Sequence, residues 1–276
     1  MGATVELPDG RALAYSEWGP ADGFPVLGFL GTPLSLLAHL GEAPEAAGVR
    51  LVLVDRPGYG RSEFKRDRTL LDWPDDVREL ADVIELDRFA VFGMSGGGPH
   101  AAACAYSLPD RVSALALVSS PAPVWDRREL RYSLPLHRQP LVELAERDRK
   151  GAARMLVEDC RRQLERLAEG EDMDDASADP ELRDRLRAAM LDATPEGYAH
   201  DLLVLFVSPW GFTPEQIGVR TTIWHGDRDP AVPFAIAEFY AATIPHSELH
   251  AVRGEGHLVL WSHAEEILSS LSGDGR

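Results

Sequence analysis

The stretch Phe89-Ala90-Val91-Phe92-Gly93-Met94-Ser95-Gly96-Gly97 joins an apolar run to an alanine-rich segment, residues 100–106. The apolar run is typical of a buried strand, and the alanine-rich segment is typical of a helix. Small residues around Ser95 permit a tight, strained turn between the two, which would point the hydroxyl into a cleft. The turn would also bring the Gly96 N–H to a helix N-terminus, where it can meet a developing oxyanion. The pattern predicts Ser95 as a nucleophile and Gly96 as an oxyanion donor.

A glycine-rich phosphate loop is the alternative for the same residues. The stretch lacks the Lys-Ser/Thr of a P-loop and the glycine spacing of a dinucleotide fingerprint. The nucleophile interpretation is therefore favoured.

Other apolar runs alternate with helical patterns along the chain, which is typical of strand-helix-strand units and a mainly parallel sheet. Residues 73–84 form one such helical pattern, with Asp72 as a candidate N-cap and Pro74 following. Residues 5–7 and 13–18 flank the turn signal Pro8-Asp9-Gly10-Arg11 and predict an antiparallel hairpin. The remaining strand candidates are residues 26–30, 51–54, 115–118, 221–224 and 248–252.

The alternation stops after residue 120. No convincing strand run occurs from 121 to 214, whereas residues 141–167 and 181–191 are charged and amphipathic. An acidic segment, Glu169-Gly170-Glu171-Asp172-Met173-Asp174-Asp175, separates these two stretches and is interpreted as a mobile loop. The expected organisation is a core of residues 1–120 and 215–276 with a helical insertion at 121–214.

A serine nucleophile needs a base and a carboxylate that orients it. His257 lies in Gly254-Glu255-Gly256-His257, just after the last strand candidate, where a loop can reach across the sheet. Asp227 and Asp229 compete for the acid, both following the strand candidate at 221–224. Asp229 has the spacing expected of the orienting acid, and Asp227 is better suited to capping the turn. The order Ser95, Asp229, His257 is that of the α/β-hydrolases.

The chain resembles the α/β-hydrolase superfamily along nearly its whole length. Asp55-Arg56-Pro57-Gly58-Tyr59-Gly60-Arg61-Ser62 is similar to the family's Asp-x-x-Gly-x-Gly-x-Ser loop, and residues 225–233 resemble its His-Gly-x-x-Asp-x-x-Val-Pro acid loop. The resemblance implies an α/β fold with a mostly parallel eight-stranded sheet, helices on both faces and a helical cap inserted after strand six. It also supports Asp229 as the acid.

The resemblance places Leu30-Gly31-Thr32-Pro33 in the oxyanion loop after the third strand. Leu30 stands where the family usually has histidine. Thr32 should supply the second oxyanion N–H, because Pro33 has none to give.

Five apolar residues are candidates for the substrate pocket. Met94 adjoins the nucleophile and Leu258 adjoins the base. Trp125, Trp210 and Phe212 lie where the insertion leaves and rejoins the core, so they could line an acyl pocket or only pin the insertion.

Composition limits the partners. A formal net charge of −17 disfavours nucleic acid and anionic membrane surfaces as partners. The two cysteines, Cys104 and Cys160, form no CxxC pair, and no metal or organic cofactor is expected. The N-terminal residues have no signal-peptide pattern and no span crosses a bilayer, so the default expectation is a cytoplasmic monomer or homodimer acting on a small molecule.

Three hypotheses of function follow. The first is a serine hydrolase that cleaves a small, largely neutral or apolar ester, thioester or lactone. The second keeps the fold and nucleophile but changes the chemistry to acyl transfer, C–C bond hydrolysis, aminopeptidase cleavage or cofactor-free haloperoxidation. The third is a ligand-binding receptor that retains a hydrolase pocket, because a fold does not fix a function.

Overall fold

Eight strands form one sheet. The computed structural model describes residues 2–134, 139–171 and 179–273 of the chain. The strands are β1 (Ala3–Glu6), β2 (Ala12–Trp18), β3 (Phe24–Phe29), β4 (Val49–Val54), β5 (Phe89–Met94), β6 (Val112–Val118), β7 (Arg220–Gly226) and β8 (Ser247–Val252). They lie in the order β1-β2-β4-β3-β5-β6-β7-β8. Only β1–β2 and β2–β4 pair antiparallel, so the sheet is mostly parallel as predicted.

Ten α-helices are described beside the sheet in these residues. They are α1 (Ala43–Ala46), α2 (Trp73–Val83), α3 (Gly97–Ser107), α4 (Gln139–Arg147), α5 (Arg149–Ala168), α6 (Pro180–Leu191), α7 (Pro195–Phe206), α8 (Ala235–Thr243), α9 (Val259–Ser262) and α10 (Ala264–Ser272). All six apolar runs that were interpreted as buried strands are strands, and the predicted N-terminal hairpin is β1–β2.

The two faces of the sheet are covered by different helices. Leu27 and Phe29 of β3 belong to one apolar cluster, which includes Leu80 of α2. Val26 of the same strand belongs to a second cluster, which includes Leu268 of α10. Burial on both faces explains why the central strands are continuously apolar rather than alternating.

Helix α2 begins where the sequence predicts, but its capping differs. Asp72 is the N-cap residue, yet its side chain makes no cap hydrogen bond to α2. The carboxylate instead accepts from the Thr69 amide and hydroxyl, both at 2.7 Å. Asp72 therefore closes the short 3₁₀ turn, Leu70–Asp72, that precedes α2.

The chain between β6 and β7 is helical, as expected, and carries α4 to α7. The amphipathic stretch 141–167 is divided into α4 and α5 at Asp148, whose side chain accepts from the Gly151 amide and caps α5. The sequence analysis did not identify α7. Residues 172–175 of the acidic segment lie outside the described residues. The division into core (1–120 and 215–276) and insertion (121–214) stays a prediction, and we use "helical insertion" for residues 121–214.

The parallel register brings several loops to one edge of the sheet. Phe29, the last residue of β3, pairs with Gly93 of β5, and Met94 at the end of β5 pairs with Val118 of β6. Val118 in turn pairs with Trp224 of β7. The loops that follow β3, β5 and β7 therefore leave the same edge side by side, which is where ligands bind in open α/β sheets.

None of the helices in the described part of the chain has both the length and the apolar character needed to cross a membrane. Cys104 and Cys160 are both buried, and neither forms a disulfide bond within the described residues.

Candidate active site

Ser95 occupies the sharp turn between β5 and α3. Its φ is +49°, in the left-handed region that is costly for a residue with a side chain. Two backbone hydrogen bonds hold it there: its amide donates to Val118 O at 2.8 Å, and its carbonyl accepts from the Gly98 amide at 2.8 Å. The turn thus presents the Ser95 side chain above the edge of the sheet.

The glycines after Ser95 are required by close approaches. A Cβ on Gly97 would lie 2.0 Å from the Phe29 carbonyl oxygen. A Cβ on Gly96 would lie 2.3 Å from Thr32 Oγ1. Only glycine allows the start of α3 to pack this closely against the end of β3 and the loop that follows it.

Two backbone amides beside Ser95 are available to an oxyanion. Thr32 and Gly96 both line the cavity that contains Ser95. Neither amide has a hydrogen-bond partner among the described residues. The two predicted oxyanion donors are therefore brought together, next to the serine.

Asp229 and His257 form a hydrogen-bonded pair. His257 Nδ1 lies 2.8 Å from Asp229 Oδ2. The other carboxylate oxygen accepts from the amides of Ala231 and Val232 at 2.8 and 2.9 Å. These bonds fix the carboxylate, whose side chain is fully buried, while the imidazole remains 13% exposed.

The environment of Asp229 keeps it ionised. Burial alone would raise its pKa, but the hydrogen bond and charge of His257 and the Val232 amide outweigh burial, so the pKa lies below its ordinary value. An ionised Asp229 accepts the Nδ1–H of His257, which leaves His257 Nε2 free to accept a proton.

Asp227 and His225, on either side of Gly226, make supporting contacts in the acid loop. Asp227 accepts from the Gly254 amide at 2.7 Å and ties the acid loop to the loop that carries His257. His225 Nε2 lies 2.9 Å from Val232 O and holds the acid loop. Burial lowers the pKa of His225, which favours the neutral ring.

Ser95 and His257 line one cavity of about 610 Å³. That volume falls within the roughly 300–1,000 Å³ typical of small-molecule sites. No hydrogen bond joins Ser95 to His257 within residues 2–134, 139–171 and 179–273. Catalytic hydrogen bonds of this kind are often long in a ligand-free site and shorten when substrate binds.

The cavity wall is largely apolar. The pocket candidates Met94 and Leu258 line it, and the helical insertion supplies most of the rest. Its contributions include Leu164, Leu186, Met190, Leu202 and Leu205. The lining also includes Arg166 and Glu171, which are about half exposed and pair at 2.8 Å.

The aromatic candidates do not line this cavity, so the expectation that Trp125, Trp210 and Phe212 form the substrate pocket is corrected. Trp210 is 1% exposed, its indole N–H donates to Leu205 O at 3.1 Å, and its ring packs on Phe212. Phe212 stacks on Tyr106 of α3, and Trp125 packs against the same apolar cluster. These rings pin the insertion to the core, which was the other interpretation of their position.

One buried cluster near the site was missed by the sequence analysis. Asp201, on α7, lies at its centre with a fully buried side chain. We call it the Asp201 cluster; it consists of Thr32, Arg56, Tyr59, Arg68, His100 and Asp201. The available signal was a single acidic residue inside the apolar run Tyr198-Ala199-His200-Asp201-Leu202-Leu203-Val204. Such a residue is rarely buried without a partner.

No group of three or more His, Cys, Asp or Glu side chains in the described ranges is arranged to hold a metal ion. The arrangement around Ser95 consists of protein groups suited to acyl transfer: a hydroxyl, an oriented imidazole and two free amides.

Asp55, at the end of the sheet near this site, gives a testable pH dependence. Burial raises its pKa to about 7, although the Leu36 amide, which donates to it at 2.7 Å, acts in the opposite direction. An unfolded aspartate titrates at about 4, so ionising Asp55 destabilises the folded state progressively between about pH 4 and pH 7. Asp55→Asn cannot ionise. The free energy of unfolding of Asp55→Asn, minus that of the unmodified protein, should therefore rise with pH across this window in urea titrations. A difference that stays constant with pH would contradict the raised pKa of Asp55.

A family model described as "alpha/beta hydrolase fold" matches residues 27–264. The chain belongs to the α/β hydrolase family. Its mostly parallel eight-stranded sheet with flanking helices is that of an α/β hydrolase, as the sequence resemblance implied.

Known relatives are similar along different parts of this α/β hydrolase. A non-heme chloroperoxidase from Streptomyces lividans is 35% identical over 44% of this chain and 45% of its own length. The AB hydrolase superfamily protein YisY from Bacillus subtilis (strain 168) is 26% identical over 99% of this chain and 98% of its own length. An esterase structure from Exiguobacterium antarcticum has a TM-score of 0.70 at 23% identity, covering 98% of both chains. The structural likeness shows the fold.

Proposed function

We propose that this α/β hydrolase cleaves a small, uncharged carboxylic ester, thioester or lactone through an acyl-enzyme on Ser95. One observation carries the proposal: Ser95 and the imidazole of an Asp229–His257 pair line the same apolar cavity. A hydroxyl and an oriented imidazole that line one cavity are the parts that nucleophilic acyl transfer needs. We also propose that the substrate is a small molecule, that the protein is cytoplasmic and that the reaction needs no cofactor.

Acylation is the first half-reaction of the proposed mechanism. Ser95 Oγ attacks the substrate carbonyl carbon while His257 Nε2 takes the hydroxyl proton. Asp229 accepts the Nδ1–H bond and stabilises the imidazolium that forms. The negative charge on the former carbonyl oxygen is met by the amides of Thr32 and Gly96, which need no reorganisation to donate. His257 then returns the proton to the leaving alkoxide or thiolate.

Deacylation uses the same groups. Water gives a proton to His257 Nε2 and attacks the acyl carbon, and the same two amides stabilise the second oxyanion. Ser95 leaves with the proton that His257 holds, so the free enzyme is restored. Each half-reaction conserves charge among the substrate, Ser95 and His257.

The cavity supports an uncharged acyl group. Apart from His257, the described lining has two charged residues, Arg166 and Glu171. They neutralise each other where they are exposed to solvent. Burying an unpaired carboxylate against the leucine and methionine wall would cost several kcal/mol. An aminopeptidase activity is disfavoured for a related reason, since the carboxylate of Glu171 is already paired and no other acidic residue lines the described wall.

A panel of p-nitrophenyl esters tests the proposal. Each added acyl methylene that the cavity buries is worth about 0.8 kcal/mol, so kcat/KM should rise by up to about fourfold per methylene until the cavity is full. The hemisuccinate, with a carboxylate at the acyl end, should be a poorer substrate than the butyrate by at least about 100-fold. Multiple turnovers are expected with every neutral short ester. A single turnover, or better use of aminoacyl anilides than of esters, would contradict the proposal and favour a receptor or an aminopeptidase.

A pair of methionine variants tests which wall holds the acyl group. Met190 of α6 lines the cavity, whereas Met155 of α5 is 44% exposed and lies outside it. Met190→Trp should fill part of the cavity and shift the preferred acyl chain to a shorter length by two or more methylenes, measured as kcat/KM across the panel. Met155→Trp makes the same change in side chain and should leave the preferred length unaltered. An identical chain-length profile in both variants would show that the acyl group binds elsewhere.

A further inference from the structure

Leu30 offers the oxyanion loop no side-chain hydrogen-bond donor. Arg56, which follows β4, donates to this loop instead. Its guanidinium donates to Leu30 O, to Gly31 O at 3.3 Å and to Thr32 Oγ1 at 3.1 Å. Three consecutive residues of the loop are therefore held by one side chain that is 1% exposed.

Asp201 holds Arg56 in place. Its Oδ2 accepts from Arg56 Nε at 2.9 Å, from Tyr59 OH at 2.7 Å and from Thr32 Oγ1 at 2.9 Å. Its Oδ1 accepts from Arg68. The guanidinium of Arg56 therefore faces an anion on one side and the oxyanion loop on the other, in a solvent-free position where charged hydrogen bonds are strong.

The protonation states of the cluster are consistent with a permanent ion pair. Burial alone would raise the pKa of Asp201, but Arg56 and Arg68 lower it far below the ordinary value, so the carboxylate stays ionised. Burial lowers the pKa of His100 to about 3, and the neutral ring binds the Gly96 carbonyl through Nδ1 at 2.9 Å. The cluster thus reaches both residues whose amides we assign to the oxyanion.

Asp201 belongs to α7 of the helical insertion, whereas Arg56 and Thr32 belong to loops of the sheet. The oxyanion loop is therefore bonded directly to the insertion. We propose that the Asp201–Arg56 ion pair is a positioning device that sets the Thr32 amide over Ser95 and makes oxyanion stabilisation depend on the seating of the insertion. The inference rests on the proposed function, and it assigns Asp201 and Arg56 as positioning residues.

Thr32→Val tests the inference with little change in charge or volume. Valine keeps the backbone N–H and the β-branched shape but loses the hydroxyl that bonds Asp201 and Arg56. Loss of one oxyanion donor costs roughly 10²- to 10³-fold in kcat, and a displaced donor should cost less, about 10- to 100-fold. KM for a neutral ester should change by less than about twofold, because the oxyanion forms only in the transition state. Thr32→Ser keeps the hydroxyl and should recover most of the loss.

Thr222→Val is the matched control. Thr222 is a buried threonine of β7 whose hydroxyl bonds Ser270 Oγ at 3.3 Å, away from the cavity. The kcat of Thr222→Val should equal that of the unmodified protein. An equal loss of kcat in Thr32→Val and Thr222→Val, or a loss that appears only in KM, would overturn the inference.

Asp201→Asn completes the test as a double-variant cycle. If Asp201 acts through Thr32, the loss in kcat for the Thr32→Val/Asp201→Asn pair should not exceed the larger single loss, whereas independent effects would multiply. Removing the buried anion leaves the guanidinium groups of Arg56 and Arg68 without their counter-charge and lowers the stability of the fold. Circular dichroism and a melting curve therefore accompany the kinetics. If Asp201→Asn does not fold, the Thr32→Val and Thr32→Ser pair decides.

Amide hydrogen exchange separates this inference from the proposed function, because it needs no substrate. Peptides covering residues 30–37 include the Leu34 amide, which donates to Gly31 O, and the Ser35 amide, which donates to Ala189 O. These peptides should exchange faster in Thr32→Val than in the unmodified protein. Unchanged exchange together with normal kcat would overturn the positioning role alone. Faster exchange in a protein that hydrolyses no ester would contradict the proposed function alone.

Discussion

Ser95→Ala should lower kcat for a neutral p-nitrophenyl ester by several orders of magnitude, up to about 10⁶-fold. The reason is that the proposed covalent step has no other nucleophile, while the cavity and the two oxyanion amides remain. KM should change little, because the apolar wall that binds the acyl group is intact. Steady-state kinetics at matched enzyme concentrations measure the effect.

Ser119→Ala is the matched control for Ser95→Ala. Ser119 follows β6 as Ser95 follows β5, and it also has a positive φ, +46°. Its amide donates to Trp224 O at 2.9 Å, but its side chain does not line the cavity. The kcat of Ser119→Ala should stay within about twofold of the unmodified enzyme, since Ser119 neither lines the cavity nor belongs to the Asp201 cluster. Comparable losses in both variants would mean that replacing a serine at a left-handed turn, and not loss of the nucleophile, lowers the activity.

Asp229→Asn should lower kcat by about 10⁴-fold with the protein still folded. The asparagine amide can donate to His257 Nδ1, and the imidazole would then carry its proton on Nε2. That tautomer cannot accept the Ser95 proton, and the positive charge formed on the imidazole would lose its counter-charge. The Ala231 and Val232 amides can still donate to the retained side-chain oxygen, so the acid loop should keep its shape.

Asp227→Asn separates the roles of the two aspartates of this loop. Asp227 accepts only from the Gly254 amide among the described residues, and an asparagine oxygen can accept the same bond. Its kcat should stay within about twofold of the unmodified enzyme. A loss of about 10⁴-fold at Asp227, with Asp229→Asn active, would reverse the assignment of the acid.

Much of the fold was predictable because its signals are local. Continuous apolar runs predicted the strands, and burial on both faces of the sheet explains why they are continuous. The turn at Ser95 was predictable from its glycines, since Gly96 and Gly97 make approaches that any side chain would block. The choice of Asp229 over Asp227 depended on spacing within one short loop, and the hydrogen bond to His257 agrees with that choice.

Apart from the residues that adjoin the nucleophile and the base, the pocket wall was not predictable, because it is set by how distant helices pack. Trp210 and Phe212 lie near the junction of insertion and core in sequence, but Phe212 stacks on Tyr106 of α3 and Trp210 packs on Phe212. The wall comes instead from α5, α6 and α7, through residues such as Leu164, Met190 and Leu205. Those side chains show ordinary helical periodicity, and nothing local distinguishes a cavity-facing leucine from a core leucine.

The Asp201 cluster was missed for the same physical reason. Arg56 was inside a motif that the sequence analysis quoted, but its partner lies 145 residues away on a helix that was not identified. Pairing a buried carboxylate with guanidinium groups from two other segments is a tertiary property. The sequence alone offered only an acidic residue among apolar ones.

The most direct test of the account is to locate a covalent adduct on the protein. A phosphonyl fluoride reacts with a hydroxyl that an adjacent base activates, and it mimics the tetrahedral intermediate of acyl transfer. We predict one adduct per chain, found by peptide mass spectrometry on Ser95, with loss of esterase activity in parallel and no adduct in Ser95→Ala. An enzyme that keeps hydrolysing esters after Ser95 is fully labelled, or that loses activity through an adduct on another residue, would contradict the central claim.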